Sequence, residues 1–191
     1  MRRTAIAATT AALCLTLAAC NAAEPEVNTK PNPQPSKTAA EKAPETTKAP
    51  APKDATIGDT LTLKGFEDGQ QIDVTLTKTS DPATPKDEFF RPEDGNRWIG
   101  VQVQIVNSGT AVYDDSPTNG MKVADSEGQW FNGVIADIKA GPSMAAGVTL
   151  KPGAKALGWA VFEVPKNSKV ASVQFGMNSG FSDQTGEWKL K

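Results

Sequence analysis

The residue with the most distinctive chemistry is Cys20, preceded by Leu17-Ala18-Ala19 at the end of a short leader. A thiolate is a strong nucleophile that can be alkylated to a stable thioether, and small Ala18 and Ala19 let the backbone enter a protease site. The chain has two cysteines, Cys14 and Cys20, and no histidine. Without histidine neither a Ser-His-Asp nor a Cys-His nucleophile system can be built, and zinc sites of the His-rich or Cys-His kinds are excluded with them. A carboxylate pair, a lysine-based site and an oxygen-ligated cation survive. For the first, Glu88, Glu93 and Asp94 near Phe89 are the cluster to nominate, as the acids of a wall-glycan hydrolase. For the last, Asp114 to Gly120 gathers oxygen ligands, but Pro117 and Thr118 break the alternation of a calcium loop and no glutamate closes it at the required spacing. That segment and Asp125-Ser126-Glu127-Gly128 therefore read as turns, and no metal or cofactor is expected.

The leader places Cys20. Arg2 and Arg3 form a positive start, and Ala5 to Ala19 are fifteen uncharged residues broken only by Thr9, Thr10 and Thr16. Such a run is shorter than the roughly 20 apolar residues of a membrane span and reads as a secretory signal. Arg2-Arg3 also permits twin-arginine export, but nothing apolar and bulky follows it, so it reads as a generic n-region. Leu17-Ala18-Ala19-Cys20 resembles the lipobox of bacterial lipoproteins. The resemblance implies cleavage between Ala19 and Cys20 and a diacylglyceryl group on the Cys20 thiol, so that Cys20 becomes the N-terminus. The alternative is a conventional signal peptide with an incidental cysteine. Acyl chains such as palmitate bury methylenes at roughly 0.8 kcal/mol each, and two chains anchor a domain where one does not. The expected address is the extracytoplasmic face of the cell membrane, with the bilayer as partner through acylated Cys20. Once the leader is removed no internal disulfide can form, although export would permit one, so a hydrophobic core must hold the fold.

Residues 21–53 contain seven of the fourteen prolines, five lysines, four glutamates and no aromatic. Such a composition cannot bury enough apolar area to offset chain entropy, so residues 20–55 read as a disordered tether, reaching up to roughly 100 Å if extended. Its threonines are too sparse for a mucin-like stalk. Net charge is −2 overall, but from Asp54 onward 18 acidic residues face 13 basic ones. A mildly acidic domain argues against nucleic acid as a partner.

From residue 56 to 191 the pattern becomes period-two alternation without a sustained helical period, the signature of an all-β class, and the length suits one domain. Strands are expected at Thr60 to Lys64 and Gln71 to Thr79, joined through Asp68-Gly69, with Ile72, Val74 and Leu76 on one face. Ser80 to Asn96 is a long connection carrying Asp87-Glu88-Phe89-Phe90-Arg91. Phe89, Phe90 and Arg91 are the candidate interaction loop; the alternative has one phenylalanine capping the open end of a sandwich and the other partly exposed. Arg97 to Asn107 is the strongest strand, with Ile99, Val101, Val103 and Ile105 toward the core and Trp98 and Gly100 opposite. A short strand is expected at Thr110 to Tyr113, then Met121 to Ala124 and Gln129 to Phe131 as a hairpin. Beyond a Gly- and Ala-containing segment from Gly133 to Gly147 come Val148 to Leu150, Ala154 to Val164, Val170 to Met177 and a final edge strand at Glu187 to Leu190.

Asn107-Ser108-Gly109 after a Val-rich strand, the Asp125/Gly128 hairpin, Leu150-Lys151-Pro152-Gly153, and Ala160 to Pro165 resemble the telokin-like, immunoglobulin-like domain of unknown function of Gram-positive lipoproteins, a family similar in fold to a secreted immunoprotective antigen. The resemblance spans roughly residues 56 to 180 and implies an immunoglobulin-like antiparallel β-sandwich after a signal peptide and disordered linker. It supplies no catalytic residues. The function expected is a non-catalytic interaction module binding an envelope protein or cell-wall glycan. The alternatives are the hydrolase above and a small-ligand-binding lipoprotein of an uptake system, although a single small sandwich offers no interlobe cleft.

Overall fold

The computed structural model describes residues 55–190; the expected signal peptide, the expected Ala19–Cys20 cleavage site and the residues up to 54 read as a tether lie outside the described residues. Wherever apolar and polar residues alternate, strands form. They are β1 (Ala55–Thr56), β2 (Thr60–Lys64), β3 (Gln71–Ser80), β4 (Asn96–Asn107), β5 (Tyr113–Asp115), β6 (Met121–Asp125), β7 (Trp130–Val134), β8 (Val148–Leu150), β9 (Lys155–Pro165), β10 (Val170–Gly176) and β11 (Thr185–Lys189). Single 3-10 turns occupy Pro117–Gly120 and Asn178–Gly180. No helix among the described residues is long and apolar enough to cross a membrane.

Nine strands make one hydrogen-bonded ribbon in the order β1-β11-β10-β6-β7-β9-β4-β3-β2, and β5 pairs with β8 separately. The ribbon turns at β7, whose first residues pair with β6 and whose last two, Gly133 and Val134, pair with Phe162 and Val161 of β9. Its two ends meet where Trp188 Nε1 donates to the Asp59 carbonyl at 3.0 Å and the Ser182 hydroxyl to the Lys64 carbonyl at 2.9 Å. Register decides which side chains enter the space between. Val74 lies opposite Ile105, Leu76 opposite Val103, and Ile99 opposite Phe162. These residues share one core with Val123, Phe175 and Trp188 from the other half. Each such large side chain contributes roughly 1.5–3 kcal/mol on burial. The fold is the expected all-β, immunoglobulin-like sandwich.

The opposite face of β4 and β9 is covered as well. Trp98, Trp159 and Val161 pack there with Ala83 and Ile138 in a second, smaller cluster. Gly100 makes this possible, since a Cβ at that position would stand 2.5 Å from Ile138 Cδ1 and 3.1 Å from Trp159 Cε3. Gly158 does the same for the chain at Met144, whose Cα would lie 2.4 Å from an added Cβ.

Asn107 closes the far end of β4. It is 1 % exposed, and its amide donates to the Ala111 and Leu150 carbonyls at 2.9 and 2.8 Å while its side-chain oxygen accepts the Gly109 N–H at 3.0 Å. Its backbone exchanges hydrogen bonds with the turn before β9, through Ala154 O and Gly153 N–H. The Asn107-Ser108-Gly109 and Leu150 to Gly153 segments are thus one joint.

Three expectations need correction. The strand placed at Thr110 to Tyr113 begins only at Tyr113, because the Thr110 and Ala111 N–H groups bond the Gly69 carbonyl instead of a ladder partner. Asp114 and Asp115, expected in a loop, continue that strand opposite Thr149 and Val148. The final strand is not an edge: β1 pairs with its outer side, Ala55 opposite Trp188, in a parallel pair where an antiparallel fold was expected throughout.

Candidate functional site

Two connections meet over the outer face of β4 and β9, residues 81–95 after β3 and residues 135–147 after β7. They are stitched together by backbone hydrogen bonds from Lys86 N–H to Asp137 O and from Lys139 N–H to Thr84 O, each 2.9 Å. The second also holds β9, through Trp159 N–H to Pro142 O and Met144 N–H to Trp159 O.

Charged side chains fix the roots of the first connection. Arg97 grips Asp81 bidentately at 2.7 and 3.0 Å and donates its remaining N–H groups to the carbonyls of Pro165, Lys166 and Ser168. The Asp81 hydrogen bond pushes the guanidinium pKa up against the opposing effect of desolvation. At the other root Glu163 accepts from Glu93 N–H, Asn96 Nδ2 and Trp98 Nε1, each at 2.9 Å. Partial desolvation pushes the Glu163 carboxyl up, and these three donors outweigh it, leaving it below the usual glutamate range.

Between these roots lies the Phe89-Phe90-Arg91 loop. Asp87 Oδ1 accepts the Phe89 and Phe90 N–H groups at 2.9 and 3.0 Å, an aspartate turn that needs no packing from the rings. Phe89 is 88 % and Phe90 67 % exposed, so neither caps the sandwich. Arg91 folds back on Glu88, with Nε on its carbonyl at 2.9 Å and a 3.8 Å ion pair between exposed side chains.

The loop divides two clefts. Phe89 and Arg91 border an open cleft of about 730 Å³, into which Lys86, Lys139 and Lys166 also face. Phe90 borders a narrower groove of about 350 Å³ floored by Trp159 and Val161 and walled by Val134, Ile135 and Met144. Ile135 is fully exposed at the groove mouth. Sequence alone did not mark Val134 and Ile135, which fall in the segment read only as Gly- and Ala-containing. Their signal was the apolar pair directly after Asn132-Gly133, where alternation stops.

The other nominated acids line the open cleft or have oxygens occupied by protein donors. Glu88, Glu93 and Asp94 line the open cleft and are all exposed. Asp114 accepts the Thr149 hydroxyl at 2.8 Å, and Asp115 Oδ1 accepts from Ser116 N–H, Ser179 N–H and the Ser179 hydroxyl. Asp115 and burial together push the Tyr113 hydroxyl pKa up, burial being the larger cause. Asp125 accepts from Glu127 N–H, Gln129 N–H and the Ser168 hydroxyl at 2.9 Å each. Desolvation pushes the Asp125 carboxyl up and these bonds bring it below the usual range. Among the described residues no three His, Cys, Asp or Glu side chains group as metal ligands. Cys20 lies outside the described residues.

No curated protein matches this sequence. Solved structures share its fold. The secreted protein MPT63 of Mycobacterium tuberculosis superposes with a TM-score of 0.52 at 15 % identity, over 74 % of this chain and 100 % of its own. The yjhA protein of Bacillus subtilis gives 0.51 at 18 % identity, over 72 % of this chain and 99 % of its own. The ycdA protein of the same species, provisionally described as a lipoprotein, gives 0.50 at 13 %, over 67 % of this chain and 38 % of its own. Such identities speak for the fold alone. The sequence profile of a domain of unknown function matches residues 65–186, the span holding the Asn107 and Gly153 joint on which the resemblance was read. The chain belongs to this family, the domain of unknown function DUF4352.

Proposed function

We propose that the protein is a lipid-anchored, extracytoplasmic, non-catalytic interaction module, held on a Gram-positive membrane through acylated Cys20 and presenting the Phe89-Phe90-Arg91 loop to an envelope protein or cell-wall glycan. The observation that carries it is the exposure of two adjacent phenylalanines on a loop pinned at both roots by Arg97–Asp81 and Glu163. Exposed rings held on a rigid frame contribute nothing to the core and present ready apolar area to a partner. The Leu17-Ala18-Ala19-Cys20 leader supports the address, as do structural neighbours described as secreted and, provisionally, as a lipoprotein. The carboxylates withdrawn from water, Asp125 and Glu163, have their oxygens committed to protein donors, which supports a non-catalytic role.

A photo-crosslinking amino acid at Phe89 of the full chain in cells tests the loop. The expected result is a discrete envelope adduct that disappears with Phe90→Ala; no adduct, or one indifferent to that change, overturns the site. Cys20→Ala should release the protein into the medium, and mass spectrometry should find Cys20 diacylated. An unmodified Cys20 on membrane-bound protein would overturn the anchor.

A further inference from the structure

We propose that the narrow groove between Phe90 and Trp159 receives a cationic–apolar peptide segment, with apolar side chains on the groove floor and basic groups paired with Asp87 and Asp137. This rests on the interaction-module reading and names its partner class.

The groove carries charge of one sign. Asp87 and Asp137 are its only charged lining residues, whereas the open cleft on the far side of the loop is lined by both signs, Lys86, Arg91, Lys139 and Lys166 beside Asp87, Glu88, Glu93 and Asp94. Asp87 Oδ1 is committed to the Phe89 and Phe90 N–H groups and Asp137 Oδ1 to the Ser143 hydroxyl at 2.6 Å. Neither carboxylate has an ion pair among the described residues. Low-dielectric walls focus the field of such acids into a cleft. Both carboxylates are exposed at the groove rim, so an anionic ligand would meet their field unfavourably and a basic one would gain a partner for each. At one end Thr118 and Asn119 line the groove with side chains that make no hydrogen bond among the described residues, leaving a donor and acceptor set for a peptide backbone. A volume of about 350 Å³ lies at the small end of ligand sites and suits a few side chains.

The test titrates the full chain with a short capped peptide alternating leucine and arginine, followed by calorimetry and tryptophan fluorescence. Binding on the order of 100 μM is expected, weakening with salt, with little binding of peptides carrying glutamate for arginine or serine for leucine. Asp87→Asn with Asp137→Asn keeps the acceptor oxygens and removes the charges, and should weaken binding about tenfold. Ala146→Trp, at an exposed lining position, should block the groove and abolish binding even if the double variant folds poorly. Equal affinity for the glutamate peptide or for the uncharged amphiphile octyl glucoside overturns the charge assignment, and binding unaffected by Ala146→Trp overturns the groove. A Phe89 adduct in cells without peptide binding overturns this inference alone; absence of both overturns the interaction-module reading with it.

Discussion

Replacing Asn107 is the sharpest probe of how this sandwich is held. Asn107→Leu keeps the branching of the side chain and removes three hydrogen bonds, leaving the Ala111 and Leu150 carbonyls without the amide, while the Gly109 N–H keeps the Gln71 carbonyl at 2.9 Å. An orphaned buried group costs roughly 1–3 kcal/mol. Leu150 is buried and Ala111 half-buried, so the two orphaned carbonyls should together cost about 3 kcal/mol. With 136 described residues and an unfolding entropy of about 2.1 cal/mol/K per residue, that lowers Tm by about 10 °C. Asn107→Asp sharpens the test. One carboxylate oxygen keeps the Gly109 N–H, and the other faces two carbonyl oxygens, so the folded-state pKa must rise above the unfolded value of about 3.9. Below that value both states are protonated and the acid can still donate to one carbonyl, at a cost of about 1 kcal/mol. As pH rises the unfolded chain ionises first, and the penalty grows by about 1.4 kcal/mol per pH unit until the folded pKa is reached. Urea unfolding from pH 3 to pH 7, taken as the difference from wild type, measures both effects. A cost below about 1 kcal/mol for Asn107→Leu, or an Asn107→Asp difference flat with pH, would refute the role given to the joint.

Glu163→Gln should destabilise by roughly 1–3 kcal/mol at neutral pH, because an amide cannot accept all three bonds from Glu93, Asn96 and Trp98. Since the Glu163 pKa is lowered, its contribution is present above the ordinary glutamate pKa and lost as pH falls through the folded value, so the variant and wild type should converge in acid. Gly100→Ala brings a methyl against Ile138 and Trp159 and should cost about 1–3 kcal/mol, with red-shifted tryptophan emission if the second cluster opens; unchanged emission and stability would show that Ile138 simply moves aside. Arg97→Lys should loosen the 81–95 connection, read as faster amide exchange at Ala83 and Lys86, because one ammonium cannot replace a fork that meets Asp81 and three carbonyls. Phe89→Ala with Phe90→Ala should leave the unfolding free energy within about 0.5 kcal/mol of wild type; a larger loss would mean that the rings pack.

Most of the sandwich was legible because its core strands are half-buried. Ile72, Val74 and Leu76, or Ile99 through Ile105, announce their face by alternation alone. What alternation cannot announce is cover on the second face. Trp98 was placed opposite the core, but that it is buried there with Trp159 depends on Ala83 and Ile138, from connections whose sequence has no periodicity. The same limit hid the narrow groove, whose walls come from a segment without a repeat. Strand limits failed where local hydrogen bonds compete with the ladder, as Gly69 does for Thr110 and Ala111. The exposure of both Phe89 and Phe90 was not decided by sequence, which also offered one ring as a cap on the open end of the sandwich; the Asp87 turn that holds the loop asks nothing of either ring.

The ribbon that folds at β7 leaves two free edges, β1 and β2, brought to one corner of the molecule. Unpaired edges are templates for uncontrolled strand addition between molecules. Here β1 is two residues long, and β2 ends in Lys64, whose N–H is occupied by Gln184 Oε1 at 2.9 Å. The Thr60 and Thr62 hydroxyls bond inward to Thr75 and Asp73 at 2.7 Å each. A domain built this way can stand at high density beside identical copies without their sheets joining, so crowding on a surface leaves its loops, rather than its edges, as the parts that meet other molecules.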